Sequence, residues 1–131
     1  DGTIDCIATD HAPHSIQDKE KDFKNSSCGM IGFESAFGLV NSVLKKEKMN
    51  IMDIIDLFTI KPSKIINITP NSISAGCMAE LNVIDPDCKW KFDINHIYSK
   101  SKNTPVIGRE LVGKVLITIN KGYISICKEP K

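Results

Sequence analysis

The sequence has no Cys-x-x-Cys pair, no long apolar run and almost no net charge, and each absence removes a class of protein. Its five cysteines, Cys6, Cys28, Cys77, Cys88 and Cys127, are odd in number and widely scattered. A disulfide framework or a structural zinc knot needs closer, paired spacing. Reduced thiols in a cytoplasmic protein are the simpler reading. Cys6 and Cys127, each in a strand-like run, are expected to be small core residues. The apolar stretches fall far below the ~20 residues of a membrane span, and no signal-peptide pattern is visible in the polar opening. A formal net charge of +1 gives no electrostatic reason for nucleic acid or a membrane surface as partner. An initiator Met is missing too, because the chain opens on Asp1-Gly2, as expected of a processed product, a partial sequence or an excised piece.

What is present suits a globular protein. The chain has 131 residues, 41% of them hydrophobic and 25% charged, which is enough for one domain-sized core. Residues 3–8, Thr-Ile-Asp-Cys-Ile-Ala, form a short apolar run that predicts a buried strand. Residues 11–29 mix Pro13, lysines and acids with Asn25-Ser26-Ser27 and read as a long loop. Loops of this length are often active-site lids or binding loops, so residues 15–29 are expected to be mobile and to order over a ligand. The run Asp18-Lys19-Glu20-Lys21-Asp22 within it reads as solvated.

Helical spacing follows. Phe33, Ala36, Phe37, Val40 and Leu44 repeat on one face, and Lys45-Lys46 suit the negative end of the helix dipole. A second helix is predicted from Asn50 as its cap, with Asp53 in the first turn and Ile51, Ile55 and Phe58 on one face. Lys61-Pro62 should end or bend it. In the remainder, Ala79, Leu81 and Val83 alternate with polar residues and Asp85-Pro86 is expected to close that strand. Leu111, Val115, Ile117 and Ile119 mark another strand, and Asn120-Lys121-Gly122 turns it into a hairpin with residues 123–127. Trp90 and Phe92 are expected to pack on this region, and His96 to be structural.

The chemistry is concentrated in Thr9-Asp10-His11-Ala12-Pro13-His14, a carboxylate and two imidazoles just after the first apolar run. In (β/α)₈ barrels the reactive groups lie at the C-terminal ends of strands and in the loops that follow. An aspartate so placed can ligate a divalent metal and take a proton from metal-bound water. The residues alone leave a second reading open, in which Asp10 caps a turn and the histidines are solvated. Cys28 has no evident base beside it and is not read as a nucleophile.

The stretch from Asp1 to His14, ending Ala-Thr-Asp-His-Ala-Pro-His, closely resembles the last barrel strand and its loop in dihydroorotases of the bacterial class I type. The resemblance continues through Gly29-Met30-Ile31-Gly32-Phe33-Glu34, Lys61-Pro62, residues 76–86 and Lys102-Asn103-Thr104-Pro105. It ends in the hairpin between Gly113 and Gly122. Three departures are visible: Cys28 stands where Phe or Pro is common, Glu80 where Asp is usual, and Val106 where Phe is usual.

That resemblance implies an α/β fold. Residues 1–70 would be the C-terminal segment of a TIM-type (β/α)₈ barrel, its last strand and following helices, with an active-site loop at 10–29. Residues 71–131 would be the C-terminal part of a small β domain. It implies a zinc centre, binuclear in the complete enzyme, with Asp10 both a metal ligand and the catalytic acid/base. His14 would contact the substrate carboxylate, and the backbone of Cys28 and Gly29 the dihydroorotate ring or its carboxylate; no such role carries over to His11, which is read as packing or as supporting the residues that bind. The implied reaction is reversible hydrolysis of dihydroorotate to N-carbamoyl-L-aspartate in pyrimidine biosynthesis. The other metal ligands would lie in an upstream part of the enzyme, so this chain alone would be inactive. Protein partners compatible with the resemblance are a second copy or aspartate transcarbamoylase. Two alternatives stand beside it: an inactive dihydroorotase-like subunit supporting aspartate transcarbamoylase, and another cyclic amidohydrolase such as allantoinase or dihydropyrimidinase.

Overall fold

The computed structural model describes residues 2–70 and 72–127. Asp1, which opens the dihydroorotase-like stretch, lies outside them, as do Asn71 and residues 128–131. Among the described residues, four α-helices precede a three-stranded antiparallel sheet of order β1-β2-β3. The helices are α1 (Ile16–Lys19), α2 (Ala36–Leu44), α3 (Ile51–Phe58) and α4 (Ile60–Ile65). The strands are β1 (Glu80–Lys91), β2 (Glu110–Asn120) and β3 (Tyr123–Ile126). None of the described helices is long and apolar enough to cross a membrane.

The elements that need only local signals form as expected. Asn50 caps α3, its side chain accepting the Met52 amide at 2.8 Å, which satisfies one of the free donors of a helix start. The β2–β3 hairpin turns on Lys121 and Gly122, with φ of 48° and 89°, and Asn120 pairs with Tyr123. Two consecutive left-handed residues give the primed turn whose twist matches a hairpin. The helix after Asn50 bends at Thr59, which has φ −125° and ψ −82°. Pro62 then sits in the first turn of α4, where its missing N–H has no helical partner to lose.

Where distant residues decide, the structure departs from the periodic pattern. Residues 3–8 are not in a sheet; Ile7 N instead donates to Leu57 O in α3 at 2.9 Å. A strand is defined by its ladder, and no strand among the described residues pairs with this segment. Phe33 is outside α2 and 68% exposed. The residues of α2 that are fully buried are Gly38 and Asn41 rather than the apolar stripe. In α3 the deepest residues are Ile54 and Leu57, one position off the expected face. Cys6 and Cys127 are only half-buried, and all five cysteines are free.

Asp85-Pro86 does not close β1. The strand continues to Lys91 with a register shift, Asp85 pairing with Lys114 and Lys89 with Val112. Pro86, Asp87 and Cys88 therefore bulge out opposite Gly113. Asp85 Oδ1 accepts the amides of Asp87 at 2.9 Å and Cys88 at 3.1 Å, closing the bulge on itself. Pro86 sits where no ladder donor is required.

Helix α2 packs on β2 at close range. A Cβ on Gly38 would lie 3.1 Å from Gly113 O. Asn41 Nδ2 donates to Val112 O at 2.8 Å and Pro86 O at 3.0 Å, while Val112 N donates to Ser42 Oγ at 2.7 Å. The central strand is thus clipped to the helix by side chains, and α2 has no need of an apolar stripe there. Beside this contact the core joins Ile31 to Phe92, Ile97, Val106 and Leu111, with Trp90 packed against it. His96 is structural, as its sequence context suggested: it completes a capping box with Asp93 and lies 4.8 Å from the Trp90 ring. Because Ile31 is 1% exposed, the core fixes one side of the segment that carries the candidate site.

Candidate functional site

Two irregular segments, residues 9–14 and 28–33, run antiparallel and form the stem of the excursion 15–27. Ala12 N donates to Met30 O at 2.9 Å. Near one end, His11 Nδ1 accepts the Gly32 amide at 3.0 Å, and its ring stacks on Phe33 with centroids 3.8 Å apart and planes 1° off parallel. This contact holds Phe33 out of the helix, with the His11 ring packed on it. Because Nδ1 accepts, the His11 hydrogen resides on Nε2. At the other end, His14 Nε2 lies 2.8 Å from Cys28 O. A carbonyl only accepts, so His14 Nε2 carries the hydrogen here and Nδ1 faces elsewhere.

Gly29 makes this apposition possible. Its φ is +99°, and a Cβ would come within 2.6 Å of Ala12 Cβ and 3.9 Å of His14 Nε2. A side chain would be both strained and in collision. The structure thus brings together three of the residues picked out by the resemblance: His14, Cys28 and Gly29. Cys28 offers its carbonyl to His14, while its thiol plays no part in the contact.

Asp10 lies in the same segment as His14, exposed, with φ +44°. Left-handed backbone is tolerated by aspartate and asparagine better than by most residues. Its carboxylate has no hydrogen-bond or ion-pair partner among the described residues, so its oxygens are open to a ligand. Asp10 therefore fits a metal as a single donor. A zinc site takes three or four protein ligands, and no group of three His, Cys, Asp or Glu stands together among the described residues.

The excursion 15–27 is internally bonded. Ser15 caps α1 by accepting the Asp18 amide at 3.1 Å. Hydrogen bonds from Lys21 and Ser15 hold the Asp18 carboxyl below its usual range. Lys19 Nζ donates to Ser27 O at 2.7 Å and Gly29 O at 3.1 Å, tying α1 back to the stem. A cavity of about 580 Å³ opens beside it, lined by His14, Lys19, Lys100, Ser101, Lys102 and Asn103 among others.

Sequence reasoning assigned no role to the segment 97–105, which supports the stem from behind. Ser99 donates to Glu34 Oε1 from its amide at 2.7 Å and its hydroxyl at 2.5 Å. Burial pushes the Glu34 carboxyl up, but these Ser99 bonds outweigh it and hold the group below its usual range. Asn103 Nδ2 donates to Ala12 O at 3.0 Å and Gly29 O at 3.3 Å. The only signal in the sequence was that Asn103 lies within a stretch shared with a known family.

The fold defines a class first. The structure superposes on the D-hydantoinase (dihydropyrimidinase) of Thermus sp. with TM-score 0.81 and 21% identity, covering 95% of this chain and 29% of that one. The L-hydantoinase (dihydropyrimidinase) of Arthrobacter aurescens gives TM-score 0.81 and 25% identity over 98% of this chain and 31% of that one. These neighbours are hydantoinases, and the chain has the fold of one portion of them.

In sequence the chain is similar to proteins named dihydroorotase. The dihydroorotase of Sulfurihydrogenibium sp. is 40% identical over 123 residues, 94% of this chain. That of Clostridium acetobutylicum is 41% identical over 125 residues, 95% of this chain. The chain spans 29% and 30% of the lengths of these two relatives. No family model matches the chain. The resemblance read from the sequence is thus a similarity to dihydroorotases across nearly all of its residues.

Proposed function

We propose that this chain is the portion of a zinc-dependent dihydroorotase that carries the catalytic carboxylate and the substrate-carboxylate site. The complete protein would reversibly hydrolyse the cyclic amide of (S)-dihydroorotate to N-carbamoyl-L-aspartate, in the synthesis of UMP. The observation that carries this reading is the junction of His14 with the Cys28–Gly29 turn, where Cys28 O, 14 residues away in sequence, lies 2.8 Å from His14 Nε2. In this reading residues 3–8 are the last strand of the barrel, whose neighbours come from the upstream part of the enzyme. Residues 71–131 contribute to a small β domain.

Asp10 would hold the metal together with ligands from outside this chain, and in the reading drawn from the family the centre is binuclear. When bound, such a metal lowers the pKa of water and polarises a carbonyl. Asp10 accepts the proton of the attacking water and returns it to the departing ring nitrogen, so one carboxylate serves as base and then as acid. His14, which donates to a carboxylate by giving up Cys28 O or with a hydrogen on Nδ1 as well, and the 28–29 backbone orient the substrate through its carboxylate. Lys19, Lys100 and Lys102 against Glu20 give the adjoining cavity an excess of cationic lining that suits an anionic ligand.

The carboxylate site separates this reading from a dihydropyrimidinase, whose ring substrate has no carboxylate to hold. Losing a hydrogen bond to a charged group costs about 1.5–3 kcal/mol, roughly 10- to 100-fold. In the complete protein, His14→Ala should lower kcat/KM for dihydroorotate by that factor and leave any slow turnover of dihydrouracil nearly unchanged. Equal losses on both substrates would remove His14 from carboxylate binding. The reading in which the protein is an inactive partner of aspartate transcarbamoylase requires that the complete protein show no turnover at all.

A further inference from the structure

We infer that Asn103 is a positioning residue that holds the two halves of the carboxylate site, His14 and the Cys28–Gly29 backbone, in register. The inference rests on the functional reading above and adds a residue to it from the other end of the chain.

The geometry is specific to the site. The Asn103 side-chain amide donates to Ala12 O at 3.0 Å and Gly29 O at 3.3 Å, one carbonyl on each arm of the stem. Its Oδ1 accepts the His14 amide at 3.3 Å across 89 residues of sequence and also meets the Ser101 hydroxyl. Ser101 Oγ in turn lies 2.5 Å from His14 O. The Asn103 backbone carbonyl accepts the Ile31 amide at 3.1 Å. An asparagine amide has two donor hydrogens and an acceptor oxygen. Both donors and the oxygen are engaged at residues 12, 14, 29 and 101, and none reaches the hydrophobic core. Only a primary amide can tie two carbonyls and one N–H in this way: aspartate lacks the donors, and alanine lacks both functions.

Backbone bonds from Ile31 to Asn103 and from Ala12 to Met30 do not involve the Asn103 side chain. Losing the amide therefore frees the stem to shift while its attachment persists. A displacement of about 1 Å at a positioning group is enough to cost up to ~100-fold in rate constants that depend on alignment. Because His14 and Gly29 hold substrate more than they perform chemistry, the loss should be concentrated in KM.

The test is steady-state kinetics on dihydroorotate with the complete, zinc-loaded protein. Asn103→Ala should raise KM roughly tenfold or more while kcat changes by less than about threefold. Asn103→Asp matches the native size, keeps the acceptor for the His14 amide and places a carboxylate against two carbonyls; it should raise KM at least as much. In a His14→Ala background, Asn103→Ala should add less than about a twofold further rise, since coupled residues are not additive. A purely structural asparagine would instead lower Tm and the active fraction, leave KM unmoved in Asn103→Asp and act additively with His14→Ala. That pattern, in a wild type that turns over dihydroorotate, overturns this inference alone. A folded, zinc-loaded wild type that does not turn over dihydroorotate overturns the functional reading and this inference with it.

Discussion

Replacing Asp10 with asparagine in the complete protein should reduce dihydroorotate turnover by orders of magnitude and leave the fold intact. Loss of a positioned acid/base alone is worth roughly 10²- to 10⁴-fold, and loss of a charged metal ligand adds to it. The substitution is well suited to isolate chemistry from folding. Asp10 has φ +44°, a region asparagine enters as readily as aspartate. Its carboxylate is exposed and has no partner among the described residues, so no structural bond is lost. The measurement is kcat/KM, together with zinc content and Tm. Near-wild-type turnover with normal zinc content would remove Asp10 from both of its roles. Lost turnover with unchanged zinc content would retain the acid/base role and move the ligand role elsewhere.

The second large effect concerns the chain by itself. The isolated 131-residue chain should neither retain zinc at micromolar affinity nor open dihydroorotate. Asp10 is one donor where a catalytic zinc needs about three, and no cluster of three suitable side chains exists among the described residues. Solution behaviour should follow the same logic of missing neighbours. Among the described residues, residues 3–8 have no partner strand, and Tyr123, Ile124 and Ile126 are exposed on the edge strand β3. Such an edge promotes self-association, so the chain should be oligomeric or poorly soluble until the upstream part is supplied. Calorimetric zinc titration with a turnover assay checks this. Micromolar affinity together with measurable ring opening would contradict both the ligand count and the view that the site is shared with residues outside this chain.

Local chemistry was legible and long-range chemistry was not. The Asn50 cap and the Lys121-Gly122 turn follow from residues adjacent in sequence, and both form as the sequence indicates. Phe33 has the spacing of a helix face, yet the His11 ring, 22 residues earlier, holds it in a stack outside α2. Asp85-Pro86 carries the signature of a strand end. Instead Asp85 folds a bulge on itself, and Asn41 from α2 secures Pro86 O, so the strand resumes. Residues 3–8 have strand composition but no ladder, because composition supplies a preference and only a neighbour supplies the hydrogen bonds.

The candidate site divides in the same way. Spacing alone marked the Asp10 to His14 run as a candidate for chemistry but left open a capped turn with solvated histidines. The resemblance to a family pointed to His14, Cys28 and Gly29, and the structure brings those three together. Asn103 could not be found by periodicity, since its meaning lies in two carbonyls and an amide that approach it only after folding.

The central claim, that this chain belongs to a protein that opens and closes the dihydroorotate ring, is tested most directly by following that ring in both directions. The complete, zinc-loaded protein would be given dihydroorotate or N-carbamoyl-L-aspartate, with hydantoin and allantoin as comparison substrates. The account predicts conversion from both sides to one equilibrium mixture, with kcat/KM for dihydroorotate well above that for either comparison. A folded, zinc-containing protein that leaves dihydroorotate intact, or that prefers hydantoin or allantoin, would contradict it.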